Sequence, residues 1–160
     1  DRILDTHWLY CRDKQLIARL DTTATGRRLT CGSQLCLLDQ SEAYSAHEID
    51  DALKLSLPSD NITILFETIK PTSDQAPAGR YRCDALDSEI EVSDHVLVFH
   101  GPLGASEHYA LQCYEGDIAT IDMPRALDFA PPGQITLAFD AAGAALGCWS
   151  FQKLRFERVQ

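Results

Sequence analysis

Residues 62–69 read Ile62-Thr63-Ile64-Leu65-Phe66-Glu67-Thr68-Ile69. Ile62, Ile64, Phe66 and Thr68 share one phase of a two-residue period; Thr63, Leu65, Glu67 and Ile69 share the other. Apolar groups stand in both phases, and β-branched and aromatic side chains fill the run. The stretch therefore predicts a strand in the middle of a sheet. His95-Val96-Leu97-Val98-Phe99-His100 has the same character and predicts a second central strand.

Outward from these two, short runs of Val, Ile, Leu, Tyr and Phe recur between turn signals. They predict strands at 8–11, 15–20, 28–31, 35–38, 80–85, 109–114, 118–121, 134–139 and 148–158. Asp140-Ala141-Ala142-Gly143 reads as a tight turn, which makes 134–158 a long terminal hairpin with a bulge near Gln152 or Lys153. One segment reads as helix. Ser45-Ala46-His47-Glu48 is a capping box, Ile49, Ala52, Leu53 and Leu55 follow as an apolar stripe, and Pro58 stops it. Residues 71–79 and 123–133 have loop composition. The expected fold is mainly β: an antiparallel sandwich of about ten strands, with a jelly roll as one version and a small barrel as the alternative. One short helix near 46–55 completes a single domain over 1–160.

At 160 residues, one domain is the default. Hydrophobic residues make up 45%, too many for an acidic disordered chain. The net charge of -10 argues against nucleic acid or an anionic membrane surface as a partner, because both require a surplus of cations. No apolar run is long enough to span a bilayer.

Six cysteines, Cys11, Cys31, Cys36, Cys83, Cys113 and Cys148, are spread along the chain. An even count of this kind predicts a disulfide framework in an oxidising compartment, with pairing left open and local closure of Cys31 and Cys36 the first choice. No C-x-x-C pair or neighbouring histidine supports zinc. The absence of a leader at Asp1 suits a mature or trimmed extracellular protein. Arginine outnumbers lysine 10 to 4, a bias common in GC-rich bacteria. Together these place the protein in a bacterial periplasm or outside the cell.

From Cys83 to Pro124 there is no Lys or Arg, yet nine acids occur. Asp84, Asp87, Glu89, Glu91, Asp94, Glu107, Glu115 and Asp117 are the candidate partner-binding residues. A negative pole built from them would attract a cationic protein. The cluster Asp84, Asp87, Glu89 and Glu91 also has the oxygen chemistry of a calcium site; no other cofactor is implied. Trp8, Trp149, Tyr109 and Tyr114 are residue types that stack on sugar rings. Ser106, Glu107 and His108 are adjacent, without the G-x-S-x-G context of a nucleophile elbow. Lys153, Arg155 and Arg158 read as edge protection.

His100, Glu107, His108 and the turn Glu115-Gly116-Asp117 resemble the first metal motif of cupins, although the paired H-x-H is missing. That resemblance implies a transition-metal site at His100, Glu107 and His108. The expected function is a non-catalytic extracytoplasmic binding protein, inhibitor-like, immunity-like or part of an envelope assembly. The alternatives are a carbohydrate-binding module with a structural calcium and a cupin-like metal-dependent enzyme.

Overall fold

The computed structural model describes residues 2–31, 34–39, 45–49, 52–57, 62–104, 106–123, 133–148 and 151–159. Among them are sixteen strands and one short 3-10 turn, Asp84–Leu86, so the mainly β expectation holds. The chain divides into two compact units, Asp1–Lys70 and Pro71–Gln160.

The first unit holds β1 (Ile3–Cys11), β2 (Leu16–Thr23), β3 (Gly26–Cys31), β4 (Gln34–Leu37), β5 (Ser45–Ile49), β6 (Ala52–Leu57) and β7 (Ile62–Ile69). They form one antiparallel sheet in the order β4-β3-β2-β1-β7-β6-β5. β7 is flanked on both sides, as its sequence predicts, although its second face is open: Leu65 is 50% exposed. Alternate residues face one core of Leu9, Leu16, Ala18, Leu20, Leu29, Leu53, Leu55, Ile64 and Phe66. The sheet curls into a half-barrel. Arg27 on β3 reaches Glu48 on β5 at 2.7 Å, a bridge between strands far apart in the sheet order.

The expected helix near 46–55 is instead the β5–β6 hairpin, with Ile49 opposite Ala52. Leu53 and Leu55 are buried while Lys54 between them is exposed, a two-residue rather than helical period. Pairing with β7 sets Leu53 opposite Phe66 and Leu55 opposite Ile64. Burial of that apolar row outweighs a local capping signal, whose loss costs only about 1 kcal/mol.

The disulfide framework is also corrected. Cys11, Cys31, Cys36, Cys83 and Cys113 are free thiols, and all but Cys36 are buried; the side chain of Cys148 lies outside the described residues. Cys31 pairs with Gln34, and Cys36 with Leu29, so the two cysteines are diagonal neighbours across β3 and β4. Such diagonals lie about 7–8 Å apart, beyond the usual span of a disulfide. The Cys31 thiol donates to the Ile17 carbonyl instead. The sulfurs fill core positions as small apolar groups.

The second unit holds β8 (Gly79–Cys83), β9 (Ser88–Ser93), β10 (Val96–His100), β11 (Ser106–Ala110) and β12 (Gln112–Tyr114). β13 (Ile118–Met123), β14 (Gly133–Phe139), β15 (Gly143–Cys148) and β16 (Phe151–Val159) follow. All nine join one sheet, ordered β11-β10-β9-β8-β16-β15-β14-β13-β12, which nearly closes into a barrel. β10 is flanked by β9 and β11, as expected. Tyr81, Ile90, Leu97, Phe99, Ala119, Leu137 and Phe156 lie at the centre of its core. The predicted turn at 140–143 is present, but two strands follow it where one was expected. The register shifts between the Leu146–Leu154 and Cys148–Phe151 pairs, so Gly147 alone on β15 stands against Gln152 and Lys153 on β16, which is the bulge the sequence predicts there. At Gly143 a Cβ would overlap the Phe156 carbonyl oxygen, so β15 approaches β16 only through glycine.

The 71–79 loop is held in place. Tyr81 Oη donates to the Pro77 carbonyl at 2.8 Å, and Arg158 donates to the Ala78 carbonyl at 2.8 Å. Residues 124–132 of the other predicted loop lie outside the described residues.

Candidate functional site

Strand alternation sorts the second unit's charged residues. On β8 to β11, Tyr81, Cys83, Ile90, Val92, Leu97, Phe99 and Tyr109 point inward. Arg80, Arg82, Glu89, Glu91, His100, Ser106 and His108 occupy the opposite phase. Register places Arg80 opposite Glu91, Arg82 opposite Glu89, and His100 opposite both Glu89 and Ser106. Arg80 bonds Glu89 at 2.9 Å; Arg82 bonds Asp84 at 2.7 Å and Asp87 at 2.6 Å. The Arg80 guanidinium lowers the Glu89 pKa below the usual carboxylate range. Four of the expected partner-binding acids, Asp84, Asp87, Glu89 and Glu91, thus lie together, against two arginines that immediately precede the cation-free stretch in sequence.

The other four lie elsewhere. Asp94 accepts from Gln75 at 3.2 Å. Glu107 sits opposite Phe99, in the inward phase of β11. Glu115 and Asp117 occupy the β12–β13 turn, where Gly116 and Asp117 adopt φ of 85° and 60°.

That placement of Glu107 separates it from His100 and His108, which point to the opposite side, so the cupin-like constellation does not assemble. Among the described residues, no group of three or more His, Cys, Asp or Glu could hold a metal ion. Tyr109 and Tyr114 are buried at 7% and 3% exposure, which removes them as sugar platforms. Trp8 is half-buried, and Trp149 lies outside the described residues.

Ser106 does meet a histidine, though not its neighbour His108. His100 Nδ1 hydrogen-bonds Ser106 Oγ at 2.8 Å, while Nε2 faces Glu91 Oε2 at 3.4 Å. The order carboxylate, imidazole, hydroxyl is that of an activated serine. However, Ser106 stands exposed on the outer side of its strand, where water solvates any developing charge. An oxyanion needs preorganised donors in a recess that excludes water. We therefore read the array as a surface network.

The first unit provides a recess. His7, Leu9, Leu20, Glu48, Ala52, Leu53 and Thr68 line a cleft of about 160 Å³. Leu9, Leu20 and Leu53 form its buried apolar floor. His7 pairs in register with Leu20, Glu48 with Leu53, and Thr68 with Leu9. At this end of the half-barrel, inward positions change from apolar to polar. Asp5 Oδ2 accepts from His7 Nε2 at 2.8 Å, and Arg27 joins Glu48 to Asp39. Glu48, Ala52 and Leu53 belong to the segment read as a capped helix, and no motif marks the other residues; the signal for the cleft is a polar residue continuing an apolar alternation, visible once the inward phase is known.

The D-aminopeptidase domain B family matches residues 19–157. D-aminopeptidase of Brucella anthropi is 25% identical over 163 aligned residues, covering 91% of this chain and 31% of that protein. The D-aminopeptidases of Brucella ovis and Brucella melitensis biotype 1 are 29% identical over 130 residues, covering 75% of this chain and 25% of each. The chain thus spans about a quarter to a third of the length of these relatives. The match overturns the expectation of a non-catalytic, acidic protein-binding module, because the relatives are peptidases. It equally overturns the carbohydrate-binding and cupin-like alternatives. Two curled β units, a match running through both, and relatives of one name lead to a single assignment: the chain belongs to the D-aminopeptidase domain B family.

Proposed function

We propose that this chain is the domain B portion of a D-aminopeptidase, an enzyme that hydrolyses the amide bond after an amino-terminal residue of D configuration. The observation that carries the reading is the family match over residues 19–157. In this reading residues 1–160 act as one functional part. Each unit is a curled sheet around its own core, in place of a layer of the expected sandwich, and supplies the rigid β framework that the longer enzyme needs. Ser106, which lacks a water-excluding recess, then takes no part in the reaction.

The test uses the native polypeptide that carries this chain, assayed for p-nitroaniline release from D-alanine and L-alanine p-nitroanilides. The expected result is hydrolysis of the D substrate in strong preference to the L. Ser106→Ala leaves the rate within about two-fold, whereas loss of a catalytic nucleophile costs orders of magnitude. Preference for the L substrate, or no hydrolysis of the D one, overturns the proposal.

A further inference from the structure

The cleft of the first unit has features that no part of the peptidase reading uses. Its floor is apolar and buried: Leu9, Leu20 and Leu53 are 3%, 6% and 2% exposed. Its mouth is polar and charged. Glu48 lines it, held by Arg27 at 2.7 Å, and the same guanidinium is bound by Asp39 at 2.9 Å. His7 also lines it and is held by Asp5 at 2.8 Å.

Three carboxylates, Asp5, Asp39 and Glu48, thus face one guanidinium and one imidazole. The mouth is net negative whether His7 is neutral or protonated. A concave, low-dielectric wall concentrates that field, so a cation is attracted to the opening and an anion repelled. The volume, about 160 Å³, is that of a cavity able to hold a small hydrocarbon group. It accommodates a short branched alkyl group.

We infer that this cleft binds a short aliphatic primary ammonium group, with the alkyl part on Leu9, Leu20 and Leu53 and the ammonium at Glu48. An amino-terminal aliphatic residue has this chemistry, as does a small alkylamine. The site is independent of the peptidase reading, since it requires only the geometry of the first unit.

The experiment titrates the full chain with isobutylamine, isobutanol and isobutyrate at pH 7, followed by amide chemical shifts in nitrogen-15 NMR. Isobutylamine is expected to shift the amides of Leu9, Leu20, Leu53 and Thr68 with a Kd in the range of about 1–10 mM, as suits a ligand of so few atoms. Isobutanol binds at least about five-fold more weakly, because it lacks the charge-assisted contact, and isobutyrate does not bind. Glu48→Gln weakens isobutylamine about ten-fold and leaves isobutanol unchanged. Leu53→Phe fills the cleft and abolishes binding; Ala52→Leu, a smaller change at the rim, weakens it should Leu53→Phe fail to fold. The inference is overturned by equal affinity for amine and alcohol, by shifts mapping elsewhere, by binding that persists in the filled variants, or by no binding of isobutylamine. None of these outcomes bears on the D-anilide assay.

Discussion

Tyr109 shows what one atom can cost. Its ring is needed in the core of the second unit, where the residue is 7% exposed. Its hydroxyl is buried and, among the described residues, has no hydrogen-bond partner. Burial accordingly raises its pKa above the ordinary value for tyrosine. A desolvated hydroxyl without a partner costs about 1–3 kcal/mol. Tyr109→Phe keeps the ring and removes that cost, so urea unfolding should show the variant more stable by about 1 kcal/mol. Equal or lower stability would mean that the hydroxyl finds a partner in solution. The sequence places Tyr109 in a strand but gives no hint that its hydroxyl is stranded. Similarly, nine acids in a cation-free stretch are plain to read, but the pairing of Asp84, Asp87, Glu89 and Glu91 with arginine is not. Arg80 and Arg82 precede the stretch, and only the β8–β9 register brings them to Glu89 and Glu91.

At the scale of elements, the β14–β15 turn is the clearest case of local sequence deciding local structure. Asp140 Oδ1 accepts from the backbone N–H groups of Ala142 and Gly143, and both oxygens accept from Arg155. Arg155 first, then those N–H groups, hold the carboxyl far below its usual pKa. A carboxylate with a lowered folded pKa adds stability above its unfolded value of about 4, and that contribution fades as the pH falls through the folded value. Asp140→Asn keeps the turn-capping oxygen and loses the ion pair. Its melting temperature should fall below wild type at pH 7, with the gap narrowing steadily below about pH 4. A gap that stays constant down to pH 2 would detach Asp140 from the acid response. The 45–57 segment shows the opposite balance. Its capping box was readable, but the deciding partners, Ile64 and Phe66, lie on β7. Inward and outward phases become distinguishable only when that strand is in place, which is also why His7 and Glu48 could not be recognised as one cleft.

Across the molecule, strand content was legible because a two-residue period survives in almost every segment. Closure was not, because curling depends on contacts such as Arg27 with Glu48 between strands remote in the sheet. Membership in a peptidase family left no short motif to read; it resides in similarity dispersed over residues 19–157. The thiols give the test at this scale. Titration of the unfolded, unreduced protein with a thiol reagent should count at least five free groups, and a reducing agent should leave the melting temperature unchanged. Fewer groups, or a drop on reduction, would restore the cross-linked scaffold.

Those sulfhydryls carry one more implication. Among the described residues the framework is secured by interlocking side chains, and the five described thiols need no oxidase to reach the state shown. Assembly of the two sheets is then paced by β-pairing, slowest where β1 must find β7 and β8 must find β16.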